Sequence, residues 1–225
     1  MDGKPLDTEI DHHTAKLIVG FIALSLAIFT DLLTPGVSIS SISLSYHLTD
    51  NARNVFVGSL CVISTFLWSY NGYSLFQAVL SKVAAVAVAA VAFLPCDCFT
   101  GRGVEGAARE ATLTGILHTT SAILMFLILA IFCWLFYLRA REKDSKEAKV
   151  RGRIYRICAV AMVGAMAVQL LDILGVDFSG ITQRVTYYVE ATGLMAFGVA
   201  WMTASRMLPF ITNEDERVKI ELSGR

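Results

Sequence analysis

Apolar residues in this chain run in long blocks rather than in short alternation. Six stretches are apolar over about 20 residues each, the length an α-helix needs to cross roughly 30 Å of hydrocarbon. They fall at roughly 16–34, 54–72, 76–95, 113–138, 155–174 and 186–207, with ends placed to within about 2–4 residues. Turn-forming residues sit at or just past these ends: Pro35-Gly36, Asn71-Gly72, Pro95, Gly175 and Pro209. The pattern predicts an all-α fold, a polytopic six-helix transmembrane bundle over 16–207, with a short N-terminal segment 1–15 and a tail 208–225. The first apolar run is long, follows an acidic stretch and lacks a small-residue cleavage site, so it reads as an uncleaved anchor.

Composition agrees. Of 225 residues, 55% are apolar and only 17% charged, with a mean hydropathy of +0.60. A soluble domain carries about 25% charge. The formal net charge is zero, so a nucleic-acid partner has no electrostatic support. Five cysteines in a chain of this length do not make a disulfide framework.

The distribution of charge orients the bundle. Lys4, Lys16, Lys82, the basic cluster from Arg139 to Arg156, and Arg206, Arg217, Lys219 and Arg225 all fall at one face. The opposite face has Arg53, Arg102, Arg109 and Arg184. By the positive-inside rule both termini are cytoplasmic, in a multi-pass membrane protein. The loops 35–53, 96–112 and 175–185 then face outward. Membrane lipids are the expected partners. The small residues Ala84, Ala85, Ala87, Ala89, Ala90 and Ala92, and the series Ala196, Ala200 and Ala204, read as helix-packing faces, through which a homo-oligomer is also open.

Ionisable residues inside a span are expensive and mark functional sites by default. Asp31, His118, Asp172 and Glu190 come from four different helices, yet all lie within roughly 10 Å of the outer boundary at 1.5 Å rise per residue. Convergence on an outward-facing polar pocket is the reading that needs least energy. Between the first two spans, Ser38 to Tyr46 alternates serine with apolar residues, which predicts an extended segment across the bundle mouth. Thr49 or Asp50 is the expected cap of the next helix. This loop would supply Tyr46, His47 and Arg53 to a pocket formed with His118, Glu190, Asp31 and Asp172.

Enzyme chemistry finds few parts. Of four histidines, His12 and His13 are cytoplasmic by topology, leaving His47 and His118 with Asp97, Glu190, Cys96 and Cys98 as possible helpers; His47, His118 and Glu190 form the zinc alternative to a cofactor-free protein. Cys96 and Cys98 are too close for an easy disulfide and form only a weak soft-metal motif. No nucleophile elbow, Walker sequence, dinucleotide fingerprint or H-E-x-x-H occurs. Nor do broken helices or an inverted repeat point to a transporter. The loop 139–153, rich in charges of both signs, is a topogenic signal that can also meet anionic head groups.

Three motifs carry a family resemblance: Y-H-L-T-D-N-A-R-N-V-F-V-G at 46–58, L-H-T-T-S-A-I-L-M-F at 117–126, and Y-Y-V-E-A-T-G-L-M-A-F-G-V-A-W at 187–201. In them the chain resembles a group of uncharacterised bacterial six-span membrane proteins and, more distantly, the Frag/DRAM/Sfk-type membrane family. That resemblance implies six helices and a role in lipid handling or lipid-dependent regulation, and it supplies no catalytic set. The chain is also similar to the adiponectin-receptor and alkaline ceramidase superfamily of zinc hydrolases, but those have seven spans and more outward histidines than this chain offers. The expectation is therefore a pocket for lipid head groups or a small ligand. A metal-dependent membrane hydrolase is the first alternative and a small-solute transporter the next.

Overall fold

The computed structural model describes residues 12–98, 112–208 and 211–212. It is helical throughout these residues, with α1 His12–Leu32, a 3-10 turn η1 Ile42–Leu44, α2 Ser45–Leu48, α3 Asp50–Ser69, α4 Leu75–Phe93, α5 Leu113–Arg141, α6 Lys146–Ile173 and α7 Val185–Ala204. Local chemistry starts four of the long helices in the same way. Thr49, Ser74, Thr112 and Ser145 sit in extended backbone, and each side chain accepts the N–H three residues on, from Ala52, Gln77, Gly115 and Ala148. At the other end of α6, Gly175 takes φ +93° and lets the Val176 N–H reach back to the Leu171 carbonyl at 3.0 Å.

The long helices form a ring in which α1 packs on α3, α3 on α4, α4 on α5, α5 on α6, α6 on α7, and α7 closes on α1. The closing contact is tight because both helices present glycine. A Cβ on Gly198 would stand 2.6 Å from the Gly20 carbonyl, and one on Gly20 would stand 2.7 Å from the Gly198 carbonyl. Ala196 and Ala200 are buried beside them, so the small-residue face of α7 serves packing within the chain. One end of the core is aromatic. Trp201, 1% exposed, is ringed by Phe66, Tyr70, Phe132, Phe136 and Phe197 at centroid distances of 4.9–5.9 Å.

Five helices, α1, α3, α4, α5 and α6, are long and apolar enough to cross a membrane. With 20 residues, α7 has the length, but Thr186, Tyr187, Tyr188, Glu190 and Thr192 lower the hydropathy of its first half. The α5–α6 connection departs from the sequence expectation. The charged stretch 139–153 is not a loop: α5 runs to Arg141, α6 begins at Lys146, and the turn between them is short. Hydropathy registers only the apolar middle of a helix, whereas Lys, Arg, Glu and Ala continue one readily into water.

Candidate functional site: a buried polar centre at one end of the bundle

The segment between α1 and α3 corrects a further expectation. It is not an extended strap across the mouth. From Ile42 onward it coils into η1 and α2 and is pressed into the bundle, with Ile39 and Ser45 fully buried, and Ile42, Ser41 and Ser43 nearly so. A strand with one solvated face would keep its serines wet. Here a carboxylate offers them partners inside.

That carboxylate is Glu190, in the second turn of α7. It accepts the Ser41 hydroxyl at 2.9 and 3.0 Å, the Ser43 hydroxyl at 3.1 Å, the Ile42 N–H at 2.5 Å and the Ser43 N–H at 3.4 Å. The first N–H groups of a helical turn have no partner within the turn, and an anion at that end satisfies them. Glu190 therefore caps η1 from another helix, while the Ser41 hydroxyl also accepts the Ser43 N–H at 3.1 Å. The neighbouring backbone continues the docking. The Ser40 carbonyl accepts the Tyr187 N–H at 2.8 Å, in the first turn of α7, and the Ile39 carbonyl accepts from Arg184 Nε at 2.7 Å.

His118, 4% exposed on α5, joins the same group. Its Nδ1 donates to the Leu94 carbonyl at 2.8 Å, and its Nε2 lies 3.1 Å from Ser43 Oγ. Proton accounting follows from these contacts. A serine hydroxyl holds one proton, so Ser43 can donate to Glu190 or to His118, not to both. All three contacts are hydrogen bonds only when the row His118–Ser43–Glu190 holds one proton more than a neutral imidazole and a carboxylate do. That proton rests on Nε2 or on Glu190 (the tautomer follows from the Leu94 carbonyl, which can only accept).

The remaining residues expected from sequence divide. Asp31 meets Arg184 in an ion pair at 2.5 Å, and Arg184 lies 4.1 Å above the Tyr187 ring, so this pair borders the centre without touching Glu190. His47 Nε2 donates to the Cys96 carbonyl at 3.0 Å. Tyr46 stacks edge-on with His47, and Arg53 covers the outer side of Tyr46 at 5.6 Å while pairing with Asp50 at 3.1 Å in the open. None of Tyr46, His47 or Arg53 bonds to Glu190 among the described residues. Asp172, half-buried near the end of α6, has no ion pair or side-chain hydrogen bond among the described residues. Arg102 and Arg109, and the tail residues Arg217, Lys219 and Arg225, fall outside the described residues, as does Lys4. Sequence reading passed over Arg184 as the partner of Asp31, and Ser41 and Ser43 as partners of Glu190. The serine alternation was the available signal for the latter two.

His118 has both ring nitrogens committed to Leu94 and Ser43, and His47 turns its Nε2 to a carbonyl. Among the described residues no three His, Cys, Asp or Glu side chains gather as a metal site. Cys96 and Cys98 are joined to each other, against the expectation that their spacing disfavours it, and so offer no thiolate pair. The space beside Glu190 is a cavity of about 20 Å³ walled by Leu26, Phe56, Leu60, Met125, Phe126 and Leu194. It has room for one water. The polar groups meet, but the chain itself fills the place where a ligand would sit.

Several bilayer-length helices around an apolar core, with buried polar groups gathered at one end, define an integral multi-pass membrane protein of the α-helical kind. Over residues 17–200 the chain matches the DUF998 family, proteins of unknown function, and it belongs to that family. No curated protein and no solved structure matches it.

Proposed function

We propose that this is a non-catalytic six-span protein of a bacterial cytoplasmic membrane, with both termini inside and an outward polar centre that binds a hydrogen-bond-donating lipid head group or small ligand by exchange with its own serine segment. Support for α7 as the sixth span comes from its pairing along all of α1: Asp31 with Arg184 at one end, Gly20 against Gly198 midway, and His13 Nδ1 with the Ser205 carbonyl at 2.8 Å at the other. What α1 crosses, α7 crosses.

One observation carries the binding reading. Every hydrogen bond to the Glu190 carboxylate comes, among the described residues, from the single segment 41–43. Withdrawal of that segment would leave a carboxylate beside an imidazole at the bundle's outer end, a ready acceptor set for ammonium or hydroxyl donors. The three motifs that resemble the Frag/DRAM/Sfk-type family contain Tyr46, His47, His118 and Glu190, which agrees with a lipid-related role. Hydrolase chemistry gains less. Ser43 and His118 stand as nucleophile and base do, but a cavity of about 20 Å³ admits no substrate. For transport, the aromatic packing around Trp201 fills the core beyond the centre.

Native mass spectrometry of the full chain in mild detergent tests the reading, with phosphatidylethanolamine (three N–H donors) and phosphatidylcholine (none) as probes. The ethanolamine lipid should bind in preference, more strongly to a Ser41→Ala/Ser43→Ala variant whose segment is loosened, and not to Glu190→Ala. Equal binding of both lipids by all three proteins, with only thermal stability changed, would make the centre a device for holding helices together.

A further inference from the structure

A cavity of about 500 Å³ lies at the opposite end of the molecule, between the end of α5 and the start of α6. We infer that it is a site for the phosphate of an anionic phospholipid. It is independent of the polar centre.

Its walls carry Arg141, Lys143, Lys149, Arg153 and Arg156 against the carboxylates Glu142 and Asp144, a net of +3. A topogenic signal requires only that basic residues stand on the inner side. It does not require them to surround one hollow. Of the basic residues of the 139–156 stretch that do not line the cavity, two are engaged elsewhere and Lys146 stands at the very start of α6. Arg139 stacks 3.1 Å over Tyr73, Arg151 donates to the Ile211 carbonyl at 2.8 Å from a buried position, and Lys146 is exposed. Asp144 meets Lys149 at 2.7 Å, and that ammonium holds its carboxyl below the usual carboxylate range. Arg153 and Arg156 have no acidic partner among the described residues.

Geometry favours a lipid over a free anion. Residues three and four apart share a helix face. The α6 face that enters the cavity as Lys149, Arg153 and Arg156 continues along the same line as Val160 and Val163, 64% and 56% exposed. With 28 and 29 residues at 1.5 Å each, α6 and α5 are about 42 and 43 Å long and overrun a roughly 30 Å hydrocarbon layer. The charged end therefore lies at head-group height and the valines at acyl-chain height. Trp134 and Tyr137, 4.9 Å apart on α5, lie where aromatic residues meet the interface.

Native mass spectrometry of the full chain tests this with phosphatidylglycerol, phosphatidylcholine and inorganic phosphate as separate probes. Phosphatidylglycerol should bind in preference. Arg153→Gln/Arg156→Gln should weaken it roughly 30-fold, at about 1 kcal/mol lost per basic residue near an anionic surface. Lys146→Gln, which removes one charge beside the cavity lining, should weaken it by no more than about fivefold. Asp144→Asn, at a side chain 98% exposed and so without consequence for folding, should strengthen it about threefold by freeing Lys149. Equal binding of the two lipids would overturn the inference. So would inorganic phosphate bound as well as the lipid, a loss with Lys146→Gln as large as with the double variant, or no response to Asp144→Asn.

Discussion

Replacing Glu190 by glutamine and by alanine should give two widely separated results, and the reason is proton accounting. In Glu190→Ala the Ile42 N–H and the Ser41 hydroxyl lose their acceptor together, while Ser43 keeps His118 Nε2 as acceptor for its hydroxyl and the Ser41 hydroxyl as acceptor for its N–H. Each buried donor left without a partner costs about 1–3 kcal/mol, and some of the strain relaxes, so a loss of about 3–5 kcal/mol is expected. Glutamine keeps the shape. Its carbonyl can stand at the Oε2 position and accept from Ile42 and Ser41. Its amide then stands at Oε1 and donates to Ser43 Oγ, which frees the Ser43 proton for His118 Nε2. The amide supplies the one proton that the row His118–Ser43–Glu190 otherwise has to take up. Glu190→Gln should therefore cost less than about 1 kcal/mol. Thermal unfolding of the purified chain in detergent separates these, since about 2–4 °C per kcal/mol is typical at this chain length. The alanine variant should melt about 10 °C below wild type and the glutamine variant within about 3 °C of it. If glutamine falls as far as alanine, the charge of the carboxylate holds the centre, and proton count alone does not explain its stability.

Other substitutions test neighbouring parts of the argument. Ser43→Ala removes the only hydrogen-bond partner of His118 Nε2 among the described residues and should cost about 1–3 kcal/mol, read as a lower melting temperature that Ser45→Ala does not reproduce in kind. Asp31→Asn breaks a half-exposed ion pair and should cost about 1 kcal/mol or less, a deficit that disappears in 1 M salt; Arg184→Met should cost more, because it also loses the Ile39 carbonyl and the Tyr187 ring. Gly198→Val drives a side chain into the Gly20 backbone and should cost about 3 kcal/mol or more, measured as loss of monodisperse protein on size exclusion after extraction.

Most of the helix plan was legible in the chain. The first five apolar blocks correspond to α1, α3, α4, α5 and α6, and the sixth to α7, because burial in lipid or beside other helices demands the same continuous apolar stretch. The cap of α3 was legible to within one residue, since Thr49 or Asp50 before a helical run has one common use, and Thr49 takes it. Two boundaries were not. The start of α6 hid nine residues upstream of its apolar block, in charged residues that prefer helix as readily as loop. The 38–46 segment was misread because alternation reports only which residues want burial. It cannot say that η1 would be the form in which they obtain it.

For the site, the chain by itself determined that Glu190 and His118 lay at one depth on different helices, since rise per residue converts position into height. It also determined that the cations gathered on one side. Only the tertiary structure decided what those groups met. Whether Asp31 faces Arg184, and whether Asp172 faces anything, depends on helix rotation, which several apolar faces of similar hydropathy leave open. That the serines would occupy the space in front of Glu190 depends on where the 39–45 segment docks against α7, which its alternation does not report. Height along a helix is a local quantity fixed by hydrogen bonding within the chain, whereas azimuth and void volume emerge only when all the helices pack at once.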